Sequence, residues 1–145
     1  MHTDRSRDDE GFTLVELMVV LVIIGLLATV VIVNVLPSQD RAMTEKTKAD
    51  IALIEQAVEM YRLDNFTYPP SDAGLAALQT PPPGLAQPDR YRRGGYLKRL
   101  PEDPWGNPYQ YRYPGEHGAF DVFSTGSDGQ PGGEDDAADI GNWTK

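Results

Sequence analysis

Hydrophobic residues are concentrated near the start of the chain. Residues 17–39 form a run of 23 positions without a charged side chain, rich in valine, leucine and isoleucine. At about 1.5 Å per helical residue this run is about 35 Å long, enough to cross a bilayer core of about 30 Å. The pattern predicts a membrane-spanning helix over residues 12–36.

A different pattern follows over residues 38–63. Apolar residues recur there at spacings of three and four, which is typical of a helix with one face on a core: Ile51, Ile54, Val58 and Tyr61. The first helix is therefore expected to continue into water. Pro37 is expected to kink or weaken it, and Asn65 and Pro69 to end it.

The carboxyl-terminal half is rich in turns. Most of the 14 glycines and 12 prolines of the chain lie beyond Pro69, which indicates short elements joined by loops. We expect a short helix over residues 72–78 and strands over residues 109–113 and 119–124. The predicted fold class is α+β, with a long amino-terminal helix packed on a small antiparallel sheet.

Composition excludes several functions. The net charge of −9 makes nucleic acid an improbable partner. The chain has no cysteine, so an exported domain would be stabilised by its core, a metal or its neighbours. Both histidines, His2 and His117, stand alone in the sequence, which argues against a zinc site or a cysteine–histidine pair. We therefore predict that the protein is not an enzyme.

One acidic residue stands at the edge of the apolar run. It ends the segment Gly11-Phe12-Thr13-Leu14-Val15-Glu16. A carboxylate carried to mid-membrane costs about 2.5–3.5 kcal/mol, so Glu16 needs a cationic partner or a function. The alternative is a simple signal peptide or membrane anchor in which Glu16 reaches the interface. However, a secretory signal has its cleavage site after the apolar region, not before it.

A second cluster of acidic residues lies near the carboxyl terminus. It is interleaved with glycines: Asp128, Glu134, Asp135, Asp136 and Asp139. Calcium prefers six to eight oxygen ligands from carboxylates and backbone carbonyls, which a glycine-rich loop can bring together. The spacing is not that of an EF-hand. Composition alone therefore leaves two alternatives, a cation site and a disordered acidic loop.

Three motifs together resemble those of the major pseudopilins of type II secretion systems, which belong to the type IV pilin-like family. They are the segment that ends at Glu16, the Leu-Pro-x-Asp-Pro-Trp-Gly block that begins at Leu100, and Ala-Asp-Ile-x-Asn-Trp at residues 138–143. The resemblance implies that a prepilin peptidase cuts between Gly11 and Phe12 and methylates the amine of Phe12. It also implies that Glu16 pairs with the Phe12 amine of a neighbouring subunit.

The resemblance also implies a calcium-binding loop. The implied ligands are the side chains of Asp128, Asp139 and Asp136 and the backbone carbonyls of Thr125 and Gln130. Asp135 is the alternative to Asp136. Because the carboxylates repel one another, the loop should loosen without Ca²⁺. Trp143 is then expected to hold the closing segment to the domain.

The implied function is structural. Residues 1–11 would be a cleaved leader, residues 12–36 a single inner-membrane span, and residues 37–145 a periplasmic domain. Subunits would leave the membrane and polymerise into a periplasmic pseudopilus that drives folded proteins across the outer membrane. The implied partners are further copies, minor pseudopilins, the prepilin peptidase and the inner-membrane assembly platform.

Two further questions are open from the sequence: which residues contact a neighbouring subunit, and to which class of protein the chain belongs. Glu55 and Glu59 form either an exposed acidic face or a contact for Lys98 and Arg99 of a neighbouring subunit. The chain could instead be a type IV pilin of a surface fibre, although many such pilins carry a disulfide that this chain lacks. A membrane-anchored, calcium-dependent monomer is the third alternative.

Overall fold

The computed structural model describes residues 11–144, apart from the side chains of residues 32–37 and 136. The chain divides into two compact units, Met1–Gln39 and Asp40–Lys145. Helix α1 spans Leu14–Asn65. The helix continues through Pro37, so the proline does not end it.

The amino-terminal unit contains an apolar helical stretch with no protein around it. Leu14–Val31 has a mean hydropathy of 2.9 and none of it is buried. By length and composition it is the one stretch among the described residues that could cross a membrane. The helix begins two residues later than predicted, which leaves Phe12 and Thr13 outside it.

In the second unit the predicted apolar face of α1 forms one side of the core. All four predicted positions are buried: Ile51, Ile54, Val58 and Tyr61. They pack with side chains from the loops and the sheet: Leu75, Leu78, Tyr91, Leu97, Tyr109, Phe120 and Val122. The Tyr61 ring lies edge-on to Tyr96 at 5.5 Å, an arrangement favoured between aromatic rings. The helical pattern in the sequence is thus confirmed.

The end of α1 is closed by a side chain and a left-handed residue. Asn65 Nδ2 donates to the Tyr61 carbonyl at 2.9 Å and to Tyr96 Oη at 2.9 Å. Phe66 has φ 60°, and its N–H donates to the Arg62 carbonyl at 2.7 Å, as in the left-handed caps that usually use glycine. The predicted end of the helix is confirmed.

Three short strands make an antiparallel sheet. They are β1 (Gln110–Arg112), β2 (Asp121–Ser124) and β3 (Ile140–Gly141), in the order β1-β2-β3. Four 3-10 helices occupy the connections: Gly74–Leu78, Pro88–Arg90, Gly126–Asp128 and Asp135–Ala137. The first two strands and the first short helix were predicted. The third strand was not, because two residues are too short to show alternation.

One buried carboxylate connects the 100–109 block to the sheet. Asp103 is 4% exposed. Its Oδ1 accepts from the backbone N–H of Asn107 at 2.7 Å and of Trp105 at 3.2 Å, and its Oδ2 accepts from Ser124 Oγ at 2.7 Å. Gly106 completes the turn at φ 83°. Asp103 therefore ties this turn to β2.

Candidate functional site

Glu16 and Thr13 form a reciprocal cap at the start of α1. The Thr13 N–H donates to Glu16 Oε2 at 3.2 Å, and the Glu16 N–H donates to Thr13 Oγ1 at 3.3 Å. This is a capping box, which satisfies two of the backbone donors that a helix start leaves open. Sequence reasoning missed it, although the Thr-x-x-Glu spacing is its usual signal.

The same end of the helix is open to other molecules. Phe12 is 82% exposed, and Glu16 is exposed as well. Glu16 Oε1 accepts no hydrogen bond from the part of the chain that the structure describes. One oxygen of Glu16 thus caps the helix, and the other is open to an outside cation.

The acidic loop is folded back on itself. Asp128 Oδ1 accepts from the Gln130 N–H at 3.0 Å, and Asp139 Oδ2 accepts from the Gly132 N–H at 2.9 Å. A Cβ at Gly126 would lie 2.9 Å from the Ala138 carbonyl, so the two sides of the loop approach at a glycine. Hydrogen bonds within the loop thus hold two of the three predicted carboxylate ligands, Asp128 and Asp139.

One oxygen in this loop has no partner. Asp139 Oδ1 is buried and accepts no hydrogen bond from the described residues. A buried carboxylate oxygen left in this way is costly, and a cation would satisfy it. Among the described side chains no group of three or more acidic or histidine residues is close enough to hold a metal. The predicted ligand Asp136 has its side chain outside the described residues.

The predicted acidic face of α1 lines a pocket. Glu55 and Glu59 border a cavity of about 270 Å³ together with His117, Phe120 and Trp143. Glu59 is already engaged, since Oε2 accepts from Arg62 Nε at 2.8 Å and Oε1 from Tyr68 Oη at 3.1 Å. The pocket therefore presents one engaged and one less restricted carboxylate.

Lys98 and Arg99 do not meet these carboxylates within one chain. Both side chains are exposed. In the described part of the molecule neither one forms an ion pair with Glu55 or Glu59. A contact between the two pairs of residues would therefore have to join different subunits.

His117 belongs to a small cluster that the sequence did not indicate. Asp121, 1% exposed, accepts from the backbone N–H groups of Glu116 at 2.8 Å and His117 at 3.2 Å, and lies 3.1 Å from His117 Nδ1. Burial alone would raise the pKa of Asp121, but these hydrogen bonds outweigh it and lower the pKa. His117 is isolated in the sequence, but the turn that returns the chain to β2 places its ring beside the Asp121 carboxylate.

Trp143 closes this cluster. Its ring stacks on His117 with centroids 3.8 Å apart and lies 5.7 Å from the Phe123 ring. A Cβ at Gly141 would collide with the Trp143 ring, so only glycine leaves room there. Trp143 thus holds the closing segment against the sheet, as predicted.

Two family models cover almost the whole chain. The model of type II secretion system protein G matches residues 34–143, and that of the prokaryotic N-terminal methylation motif matches residues 6–32. The chain belongs to the type II secretion system protein G family. The junction between the two matches lies at residue 33, so the capped helix start falls in the methylation motif, and the core and acidic loop fall in the protein G match.

Relatives of this protein G family member match it over nearly their full length. The type II secretion system core protein G of Vibrio cholerae is 53% identical over 139 residues, covering 96% of this chain and 94% of the relative. The core protein G of Pseudomonas aeruginosa is also 53% identical, with 96% and 98% covered.

A solved structure also matches this protein G family member. The crystal structure of the major pseudopilin from the type 2 secretion system of enterohaemorrhagic Escherichia coli matches with a TM-score of 0.67 at 44% identity. It covers 76% of this chain and 94% of that chain. The long helix and the small antiparallel sheet are thus confirmed as a pseudopilin fold, and the surface-fibre alternative is not favoured.

Proposed function

We propose that this chain is the structural subunit of a type II secretion pseudopilus. The observation that carries the proposal is the unbroken succession of a methylation motif and a protein G domain along one chain. Subunits would polymerise in the periplasm together with minor pseudopilins, and the growing filament would drive folded proteins across the outer membrane. The role is mechanical, and the chemistry of processing and assembly would be supplied by the prepilin peptidase and the assembly ATPase.

The subunit is proposed to begin as a protein of the inner membrane. Residues 12–36 would cross it once, with the leader (residues 1–11) in the cytoplasm and residues 37–145 in the periplasm. Cleavage between Gly11 and Phe12 would create an amine at Phe12, which would be methylated. Glu16 of the next subunit would then receive this cation on its open oxygen, since paired charges are the ones tolerated in lipid.

Substitution of Glu16 separates this role from capping. Glu16→Gln keeps a side chain that completes a capping box but removes the charge. We expect filaments to be lost while the protein remains in the inner-membrane fraction, because the Phe12 amine has no anionic partner. The measurement is the amount of subunit in sheared, sedimented filaments and in membranes.

The matched control is Thr13→Ala, which removes the hydroxyl that accepts from the Glu16 N–H and keeps the charge of Glu16. It should weaken the first helical turn by about 0.5–2 kcal/mol and still permit filaments. Assembly by Glu16→Gln at the level of the unmodified protein would show that Glu16 serves the cap alone. Subunits that never sediment as filaments, even without a substitution, would contradict the proposed function itself.

We further propose that the acidic loop binds Ca²⁺. The side chains of Asp128, Asp139 and Asp136 and the carbonyls of Thr125 and Gln130 would hold it, with Asp135 as the alternative to Asp136. The unpartnered Asp139 Oδ1 supports this assignment, because a hard cation prefers such an oxygen. Bound calcium would neutralise repulsion among the carboxylates and tie the loop before β3 to the domain.

Calcium removal should therefore destabilise the domain. With free Ca²⁺ about 100 times above its Kd, binding adds about 2.7 kcal/mol to the free energy of unfolding. Thermal unfolding of a soluble fragment that starts at Asp40, with calcium and with a chelator, measures the difference. Asp139→Asn should abolish it, whereas Asp89→Asn, an exposed change outside the loop, should not.

Equal melting of the unmodified fragment in calcium and in chelator would refute the site. A comparison of Asp135→Asn with Asp136→Asn assigns the remaining carboxylate, because only the ligand should reduce the calcium response. Mg²⁺ is a useful second probe, since it demands a tighter octahedral geometry and should stabilise the fragment less.

The acidic pocket is the proposed subunit contact. Glu55 and Glu59 would face Lys98 and Arg99 of a neighbouring copy. Opposite charges on separate parts of one surface, not paired with each other within the described chain, are suited to head-to-tail contacts that repeat along a filament.

A further inference from the structure

A second pocket, here called the tyrosine pocket, lies between the end of α1 and the loops that follow it. Its volume is about 370 Å³, within the range of small binding sites. Tyrosines and prolines form most of its wall: Tyr61, Tyr68, Tyr113, Pro82, Pro83 and Pro114. None of its described lining residues carries a charge. The tyrosine pocket therefore suits an uncharged and largely apolar ligand.

One hydroxyl group of this wall lacks an acceptor. Tyr61 is fully buried, and its Oη forms no hydrogen bond with any of the described residues. Burial raises the pKa of Tyr61, so the hydroxyl keeps its proton and can donate. A buried donor without a partner is costly, which indicates that water or a ligand supplies the acceptor.

Two neighbouring hydroxyls of the wall are already engaged. Ser71 Oγ donates to the Tyr113 carbonyl at 2.6 Å and accepts from the Tyr113 N–H at 2.7 Å. Tyr68 Oη donates to Glu59 Oε1 at 3.1 Å. Among these three hydroxyls, that of Tyr61 is the one left to donate to a bound group.

The chemistry of the wall selects the kind of ligand. The Tyr68 and Tyr113 rings lie 5.2 Å apart with 50° between their planes, and prolines beside them restrict the backbone. Aromatic surfaces of this kind take extended proline-rich segments. Such a segment uses none of its backbone carbonyls internally, so one of them can accept from Tyr61 while its pyrrolidine rings pack on the tyrosines.

We infer that the tyrosine pocket binds an extended, proline-containing segment of another protein, with the Tyr61 hydroxyl donating to a backbone carbonyl of that segment. The run of three prolines in this chain does not supply the segment, because Pro82 and Pro83 are part of the wall and Pro82 is buried. The inference goes beyond the proposed function, since it adds a partner site that is complete within one chain.

The test is a calorimetric titration of the full chain in detergent micelles, at constant calcium, with a blocked tetraproline peptide. A blocked peptide of alternating glycine and serine, of the same length, is the matched ligand control. It offers backbone carbonyls but no rings for the tyrosines. We expect saturable binding of tetraproline and none of the glycine–serine peptide.

Tyr61→Phe removes the hydroxyl and keeps the ring. We expect tetraproline to bind about fivefold more weakly, the effect of one hydrogen bond. The melting temperature of the free chain should stay the same or rise, because the lost hydroxyl has no partner in it. A purely structural role would lower the melting temperature and leave the affinity unchanged.

Tyr91→Phe is the matched variant. The Tyr91 hydroxyl is also buried, but it donates to the Ala77 carbonyl at 2.9 Å, and Tyr91 does not line the tyrosine pocket. Its loss should lower the melting temperature and leave tetraproline binding as it was. The two tyrosines thus give opposite results in the two measurements.

Ala86→Trp is a second way to test the same site. Ala86 is exposed and lines the tyrosine pocket, so the larger ring should fill space there and abolish binding without unfolding the chain.

Three results would overturn the inference: no saturable binding at millimolar tetraproline, equal binding of the two peptides, or full affinity in folded Tyr61→Phe. The last would mean that water satisfies the hydroxyl. Each leaves the pseudopilus proposal intact, because that proposal fails only if the subunit forms no filaments.

Discussion

Ile54→Ala should lower the free energy of unfolding of the Asp40–Lys145 unit by about 3–4 kcal/mol. Ile54 is fully buried at the centre of the α1 face, surrounded by loop and sheet side chains. The loss combines the transfer free energy of the deleted methyl and methylene groups with the cavity they leave. Chemical denaturation of the soluble fragment that starts at Asp40 measures it, and the slope with denaturant should remain unchanged.

Leu53→Ala is the matched control on the neighbouring position. Leu53 is 48% exposed, so the same type of truncation removes much less buried surface. We expect a change of about 0.5–1 kcal/mol. Equal losses at the two positions would mean that the buried face of α1 has been assigned to the wrong residues.

Asp103→Ala should cost about 3 kcal/mol, because three buried or half-buried donors lose one acceptor at once. The backbone N–H groups of Trp105 and Asn107 and the hydroxyl of Ser124 all donate to this carboxylate. Alanine accepts no hydrogen bond from these three donors, so the turn loses its link to β2. Denaturation of the same fragment measures the loss.

Two further variants show whether hydrogen bonding is the cause. Asp103→Asn retains one carbonyl oxygen for the two backbone donors and should lose only part of the stability. Glu102→Ala changes an exposed side chain next to it and should stay within about 0.5 kcal/mol of the unmodified fragment. A small loss for Asp103→Ala would mean that water replaces the carboxylate without cost.

The sequence predicts the parts of this fold that repeat a pattern. The spacing of Ile51, Ile54, Val58 and Tyr61 is a helical period sustained over three turns, and all four side chains are buried. Strand β1 lies in the alternating segment 109–113, whereas β2 is buried at all four positions and lies in the predicted segment 119–124. Strand β3 consists of Ile140–Gly141 alone and exists because Phe123 and Ser124 pair with it, a long-range contact that has no local period.

The candidate sites also divide into those with a local sequence pattern and those formed by long-range contacts. The Thr13–Glu16 cap has a local spacing that could have been read from the sequence. The cluster of His117, Asp121 and Trp143 could not, because a turn and a two-residue strand bring the three together. The acidic loop lies between these cases, since its composition leaves a cation site and a disordered loop open, whereas the unpartnered oxygen of Asp139 appears only in three dimensions.

The position of the helix cap bears on maturation. Both of its partners, Thr13 and Glu16, lie downstream of the proposed Gly11–Phe12 cut, and Gly11 and Phe12 themselves lie outside α1. A protease would therefore meet its scissile bond in already unwound backbone. Removal of the leader would leave the first helical turn as it was, so maturation would create a new terminal charge without any refolding of the segment that carries it.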